Sequence, residues 1–524
     1  MSDYRFIKRQ MPPIERAVDV FAALTDSGRT PGSVLLETAD GLTPEAGKSL
    51  LLLSPCLRID GFLNEIRVRA LTSNGRQLLQ RLSTLSETAI SGSGDELSLP
   101  LSVANSAENE QQRLLQEPTL NLLRSLLSQL HASHADEAKL FMLSGIFSFE
   151  TIRLFEQLPA LPGEQDKPLF TLFLPELVLQ LPRAGQSVSA YALVTEGEQS
   201  ARIENDMSRQ LVALSETLRH VSKQETPAGA AAVNVEIDIA DEAFERQVQK
   251  AQSHLQAGDA FQIVISRRFS LPCADALQSY RVLRQENPSP YLFYVNTGDY
   301  TLFGASPESA VKVDGVSREI EVCPIAGTRA RGRNVSGEID ADYDARIEAD
   351  LRADEKEIAE HMMLVDLARN DVARIAAPGT RRVKQLLTVE RYSRVMHLVS
   401  RVAGTLKPGL DALHAYAASM PMGTLSGAPK LRAIEIIRQL EGKPRGAYGG
   451  AVGYLNGQGD MDTAIIIRAA VVRDGKATVQ AGAGVVLASD PAAEADETRR
   501  KAESVLRAIY GASLAANGRS GNHA

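Results

Sequence analysis

The stretch "GGAVGYLNGQGDMDTAIIIRAAVVRDGKATVQAGAGVVL", Gly449 to Leu487, decides how this chain folds. Within it "GGAVGYL", "TAIIIRAAVV" and "ATVQAGAGVVL" each read as a strand, with turn signals between them. Strands joined by short turns pair antiparallel, whereas a parallel sheet needs a long crossover, usually helical, between neighbours. A helix is predicted to follow from about Ala493. Working upstream, "FQIVISRRF", "YLFYVN", "TLFGAS" and "EIEVCPIAGT" are short β-branched strands set between long charged helices. Residues 1–225 mix strands such as "SVLLETA" and "SLLLLSP" with amphipathic helices such as "TLNLLRSLLSQL". A linker is predicted at "VSKQETPAGAAAVNV", from Val221, dividing the chain into regions 1–225 and 226–524. The pattern is α+β.

Bulk properties narrow the function. With 524 residues the chain is large enough for more than one domain-sized unit. Its 44% hydrophobic and 23% charged residues are an ordinary globular balance, and a net charge of −8 gives no reason to expect nucleic acid or an anionic membrane as partner. Cys56, Cys273 and Cys323 are widely spaced, which suits a reducing compartment and excludes a disulfide scaffold. The start, "MSDYRFIKRQMPPIERAV", lacks the apolar core of a signal peptide, and no apolar run approaches a membrane span. A cytoplasmic location is expected.

Two helices carry paired acids. Glu357 and Glu360 lie in "DLRADEKEIAEHMMLVDLARND", and Glu494 and Glu497 in "AAEADETRRKAESVLRAI". Spacing i,i+3 places each pair on one helix face. Two such faces meeting across a cleft would hold a hard divalent cation through oxygen. The commoner explanation of such spacing is a solvated face with i,i+4 pairs such as Glu357 and His361. Three features tilt the balance. Gly482-Ala483-Gly484 sits at a strand end and allows backbone N–H groups to approach an anion. Arg468 follows the apolar "TAIII", where a buried guanidinium needs a carboxylate or phosphate. "FGASPES" and "PIAGTRARG" place Gly, Pro and Ser at strand ends, where scaffolds present functional groups. The residues alone point to a Mg2+-dependent enzyme acting on a small anionic metabolite. Phosphoryl transfer stays open, although no GxxxxGK[ST] loop is present.

Taken together, "FGASPES", "PIAGTRARG", "EIAEHMMLVDLARND", "MHLVSRVAGTL", "MGTLSGAPK", "RGAYGGAVGYL" and "AGAGVVLASDPAAEADET" resemble the chorismate-utilising enzymes, and within them anthranilate synthase component I. The resemblance implies two packed antiparallel β-sheets with helices outside and an active site in a cleft between them. It implies Mg2+ held directly by Glu360 and Glu497 and through water by Glu357 and Glu494. It implies that Gly327, Thr328, Tyr448, Arg468, Ala483 and Gly484 hold chorismate's carboxylates, with Thr424 near the ring. Glu308 matches a general acid for the departing 4-hydroxyl, a role that calls for a carboxyl pKa raised by burial. His397 matches the residue assisting pyruvate loss; outside that context it reads as a satisfied core histidine.

Two positions separate the branches of the family. Isochorismate and salicylate synthases carry a lysine base where this chain has Gln262, and an amide is a poor base for activating water. Aminodeoxychorismate synthases carry a nucleophilic lysine where this chain has Ala326. The remaining reaction is ammonia attack at C2 followed by pyruvate elimination. A 2-amino-2-deoxyisochorismate synthase, which stops before pyruvate loss, is the nearest rival, and an inactive ligand-sensing paralogue is a distant one. No cysteine sits in a Gly-x-Cys-x-Gly turn and no amidotransferase domain fits in this length, so the resemblance implies a separate glutamine amidotransferase subunit and a heterotetramer.

The resemblance also extends to a tryptophan feedback pocket, formed by the N-terminal region with residues 287–293 and 452–454. Glu37, Lys48, Pro290, Tyr291, Val452 and Tyr454 match it. Thr38 stands where the family has serine, and Leu292 where it typically has methionine. Both changes are expected on the wall touching L-tryptophan, and one mis-shaped contact costs about 1–3 kcal/mol. Weak inhibition is therefore expected, as suits a supply of anthranilate to specialised products such as quinolones or phenazines.

Overall fold

The computed structural model describes residues 2–39, 47–85, 90–91, 94–101, 120–128, 130, 132–182, 187–221 and 234–520. Alternation along the strands explains how they stack. In Tyr291–Asn296, Leu292 and Tyr294 join a core shared with helices, while Phe293 and Val295 join a core made of strand and turn residues. In Met142–Phe147, Leu143 and Phe147 face a second helix-covered core, while Met142 and Ile146 face the same strand-built core. One apolar interior thus separates two sheet layers, each covered outside by helices, which is the α+β arrangement expected. The ladders between named strands are antiparallel, and they run on into one another, so the two layers are parts of a single curled sheet.

The N-terminal region is built into that sheet. Val34–Glu37 pairs with Tyr291–Asn296, and Met142–Phe147 pairs with Ala451–Asn456. The boundary expected near residue 225 therefore divides the chain but not the sheet; its linker falls mostly on residues 222–233, outside the described residues. Among the described residues no helix is long and apolar enough to cross a membrane.

The stretch Gly449–Leu487 contains four strands rather than three. "TAIIIRAAVV" breaks into Met461–Ile465 and Ala469–Arg473 around Arg468, whose φ is +51°. Before the break the chain pairs with Ala451–Asn456, and after it with Thr301–Ser306. The kink lets one apolar run change partners, and it sets the arginine at the turning point.

The two acidic helices are fixed at their starts. Asp354 caps Glu355–Ile375 by accepting from the backbone N–H of Lys356 and Glu357 at 3.1 Å each. Pro491–Ser520 begins two residues earlier than expected, where the Asp490 carboxylate accepts from the N–H of Ala493 at 2.8 Å.

Candidate active site

Gln262 opens the strand Gln262–Pro272, which pairs with Lys476–Val485 so that Val264 faces Gly484 and Ser266 faces Gly482. Both glycines are required by what passes over them. A Cβ on Gly484 would lie 2.7 Å from the Gln262 amide nitrogen, and one on Gly482 would lie 2.7 Å from the Tyr448 hydroxyl. Ala483, between them, is fully buried and points to the other side of the sheet, so only its backbone faces the site. Gln262 donates to a Glu360 oxygen at 2.9 Å, which makes it a holder of that carboxylate.

The four glutamates behave as a crowded acidic group. Burial and the neighbouring charges of Glu357 and Glu497 push the Glu360 carboxyl above its usual range. Burial, with Glu497 nearby, does the same to Glu494, and one Glu494 oxygen has no hydrogen-bond partner among the described residues. The remaining two lean on cations: Glu357 accepts from Arg329 at 2.8 Å, and Glu497 pairs with Lys501 at 2.5 Å. No group of three or more His, Cys, Asp or Glu side chains stands ready-assembled to hold a metal among the described residues. The donor set fits Mg2+: hard oxygens, surplus negative charge, and a buried carboxylate oxygen left without a partner. His361 does not pair with Glu357; its ring lies 2.7 Å from the Ser400 hydroxyl and 3.3 Å from the Ala326 carbonyl, tying the first acidic helix to the strands beneath it.

Glu308 is 4% exposed, and burial pushes its pKa up to about 8. Its partner is Thr424, on the turn Gly423–Leu425, whose hydroxyl donates at 3.1 Å. His397, on Val395–Thr405, lies opposite Thr328, and its Nδ1 is 2.8 Å from the Thr328 hydroxyl. Burial first, then the positive charge of Arg468, hold the imidazole down to about 4, against opposing help from the Gly327 backbone. At neutral pH Glu308 is protonated and His397 is neutral.

Arg468 donates to the Lys501 carbonyl at 2.7 Å and has no carboxylate ion pair among the described residues. Desolvation lowers its pKa, partly offset by Tyr448 and Glu497. The anionic partner that the sequence calls for is not supplied by the described part of the chain. Tyr448 is buried, with its pKa pushed up to about 12 by desolvation.

Lys501 and Arg329 are absent from the residues picked out by sequence. Lys501 donates to the Gly482 carbonyl at 3.1 Å, and its charge draws down the carboxyls of Glu308, Glu360 and Glu494. The available signal was its position four residues after Glu497, one turn along the same face.

The feedback-type residues divide between two sheet faces. Glu37, 2% exposed, accepts from Tyr280 at 2.6 Å and from Arg284 at 3.0 Å, both on the helix Ala276–Glu286. Leu292 lies directly opposite Glu37 in the ladder and packs into the same helix-covered core. Tyr291, Val452 and Tyr454 pack into the strand-built interior instead. Thr38 accepts from the Lys48 backbone N–H at 2.9 Å at the exposed strand end, and Pro290 is half-buried. Thr38 lies one residue past the end of the strand Val34–Glu37, outside the ladder that pairs Glu37 with Leu292. Most of the loop between Thr38 and Lys48, residues 40–46, lies outside the described residues.

The chain belongs to the chorismate binding enzyme family, whose model matches residues 89–507. Within that family it is similar to anthranilate synthase component 1. It is 47% identical to the pyocyanine-specific component 1 of Pseudomonas aeruginosa over 94% of this chain and 92% of that protein. It is 45% identical to component 1 of Escherichia coli, covering 92% of each. Among solved structures, component I of Streptococcus pneumoniae matches with a TM-score of 0.67 and 31% identity, over 88% of this chain and 92% of that one. The menaquinone-specific isochorismate synthase of Escherichia coli matches with a TM-score of 0.65 at 17% identity, over 97% and 95%, and shares the fold.

Proposed function

We propose that this chain is the large subunit of an anthranilate synthase, aminating chorismate at C2 with ammonia and then eliminating pyruvate. The observation that carries the reading is the burial of Glu308 beside Thr424, which pushes its pKa up, at the edge of a site whose Arg468 lacks an anionic partner in the described chain. Arg468, Tyr448 and the backbone at Gly327, Thr328, Gly482, Ala483 and Gly484 bind and orient the substrate's carboxylates, with Lys501 adding positive charge. Glu308 donates its proton to the departing 4-hydroxyl, which leaves as water. The neutral imidazole of His397, oriented by Thr328, accepts a proton as pyruvate leaves. Mg2+, when bound by Glu360 and Glu497 with Glu357 and Glu494 around them, would supply positive charge against the substrate's carboxylate.

Gln262 donates its amide N–H to Glu360 and, as an amide, is a poor base for activating water, while Ala326 offers no nucleophile; both support amination over the other branches. Ammonia is supplied by a glutamine amidotransferase subunit in the cytoplasm. The near equality of 47% and 45% identity to the pyocyanine-specific and Escherichia coli proteins favours neither a specialised nor a general destination for the anthranilate. Incubating the chain with chorismate, Mg2+ and ammonium should yield fluorescent anthranilate and equimolar pyruvate, and Glu360→Ala should lose at least about a hundredfold in turnover, the scale of one lost charge contact. An amino acid product without pyruvate would instead establish the 2-amino-2-deoxyisochorismate synthase.

A further inference from the structure

A cavity lies beside the site, and among the described residues Tyr448 is the one the two share. Its volume is about 580 Å³, within the range of small-molecule sites, and none of Glu308, Glu360, His397, Arg468 or Glu497 lines it. Leu302, Ile466, Ala469 and Val471 form an apolar wall carried on rigid strands and the kink between them. The Tyr300 and Tyr448 rings are half-buried and buried respectively.

The charges lining this cavity are unequal in how well they are satisfied. Arg445 is locked to Glu441 at 2.6 Å, Lys476 pairs with Glu236 at 2.5 Å, and Glu164 is held by Arg153 and Arg438. Glu150 accepts the backbone N–H groups of Arg445 and Gly446. Three cations remain without an ion pair among the described residues. Lys167 and Arg473 are exposed at the mouth, with Arg473 stacked 5.6 Å over the Tyr300 ring. The guanidinium of Arg268, less exposed, donates to the Gln480 side chain and the Pro444 carbonyl. Asp474 is the one lining carboxylate with neither an ion pair nor a backbone clamp among the described residues, so positive charge predominates.

We propose that this cavity is a second binding site, for a small planar aromatic acid, whose carboxylate meets Arg473 and Lys167 while its ring lies against Tyr300 and the strand wall. Tyr448 faces the cavity on one side and Gly482 of the substrate site on the other, so occupancy alters chorismate binding. That coupling rests on the chorismate reading; the binding itself does not.

The test titrates the full chain calorimetrically with 2-naphthoate, in Mg2+ and saturating chorismate but without an ammonia source, so that the substrate site is filled. One equivalent is expected to bind. Arg473→Glu and Lys167→Glu, both at exposed positions, should each weaken it by about tenfold or more, and Arg473→Lys should retain it. Neutral 2-naphthol and aliphatic octanoate should bind more weakly. In the ammonium assay 2-naphthoate should shift KM for chorismate, and Arg473→Glu should abolish the shift with basal turnover unchanged. No binding, binding unmoved by both charge reversals, binding only in the absence of chorismate, or equal binding of octanoate would each overturn the proposal. If the wild type forms no anthranilate, the chorismate reading fails while the titration still decides the site.

Discussion

Replacing Glu308 with glutamine keeps the side chain's shape and its capacity to accept the Thr424 hydroxyl, and removes only the ionisable proton. In the folded chain this carboxyl titrates at about 8, against an ordinary 4.5. Between those values the unfolded chain has released the proton and the folded chain still holds it. The native state then binds more protons than the unfolded state, so stability falls as pH rises through this window and levels off above it. Each pH unit inside the window costs about 1.4 kcal/mol. The cost reaches about 3 kcal/mol at pH 7 and about 4 kcal/mol at pH 8, and levels off near about 5 kcal/mol above that. The glutamine variant carries none of it. Urea unfolding of wild type and Glu308→Gln from pH 5 to pH 9 should therefore show near-equal midpoints at the acid end. The variant's advantage should widen through pH 8 and then level off. Turnover of the same variant should fall by roughly 10²–10⁴-fold, the usual contribution of a general acid, and wild-type turnover should decline as pH passes through about 8. A stability difference that is constant with pH would mean that Glu308 ionises normally, and the argument for its protonated state would be refuted. A variant that kept its turnover would remove it as the acid.

Gly482→Ala would place a Cβ 2.7 Å from the Tyr448 hydroxyl and 2.8 Å from the Ile265 carbonyl oxygen. Tyr448 must move and the paired strand must give at Ile265, and steady-state assays should show KM for chorismate rising about tenfold with a smaller change in kcat; an unchanged KM would place Tyr448 outside the substrate site. Leu292→Met alters the helix-covered core rather than the strand-built interior, so the tryptophan concentration giving half-inhibition should stay within about twofold of wild type. Tyr454→Ala, on the interior face, should move it by more than about tenfold in a chain that tryptophan inhibits. The reverse result would return the pocket to the Glu37 and Leu292 face.

Short-range patterns were legible because their physics is local. Alternation of period two marked the strands, and i,i+3 spacing set Glu357 beside Glu360 and Glu494 beside Glu497 whatever the rest of the chain did. Turn signals made the sheet antiparallel, and the motif around Glu308 placed an acid at a strand end. The break at Arg468 was not legible, since "TAIIIRAAVV" is uniformly apolar on either side; it exists because the run must leave one pairing partner for another. Glu37 looked available to a ligand until the fold set it against Arg284, 247 positions away, within hydrogen-bonding distance. The same holds for Lys501, an ordinary helix-face lysine in the sequence, which tertiary packing delivers to the Gly482 carbonyl among three glutamates. By itself the sequence determined which elements form and which chemical groups they carry. The tertiary structure alone decided which sheet face each group points to and which charge meets it, because strand register is settled by pairing with segments hundreds of residues distant, and a shift of one residue reverses every side chain.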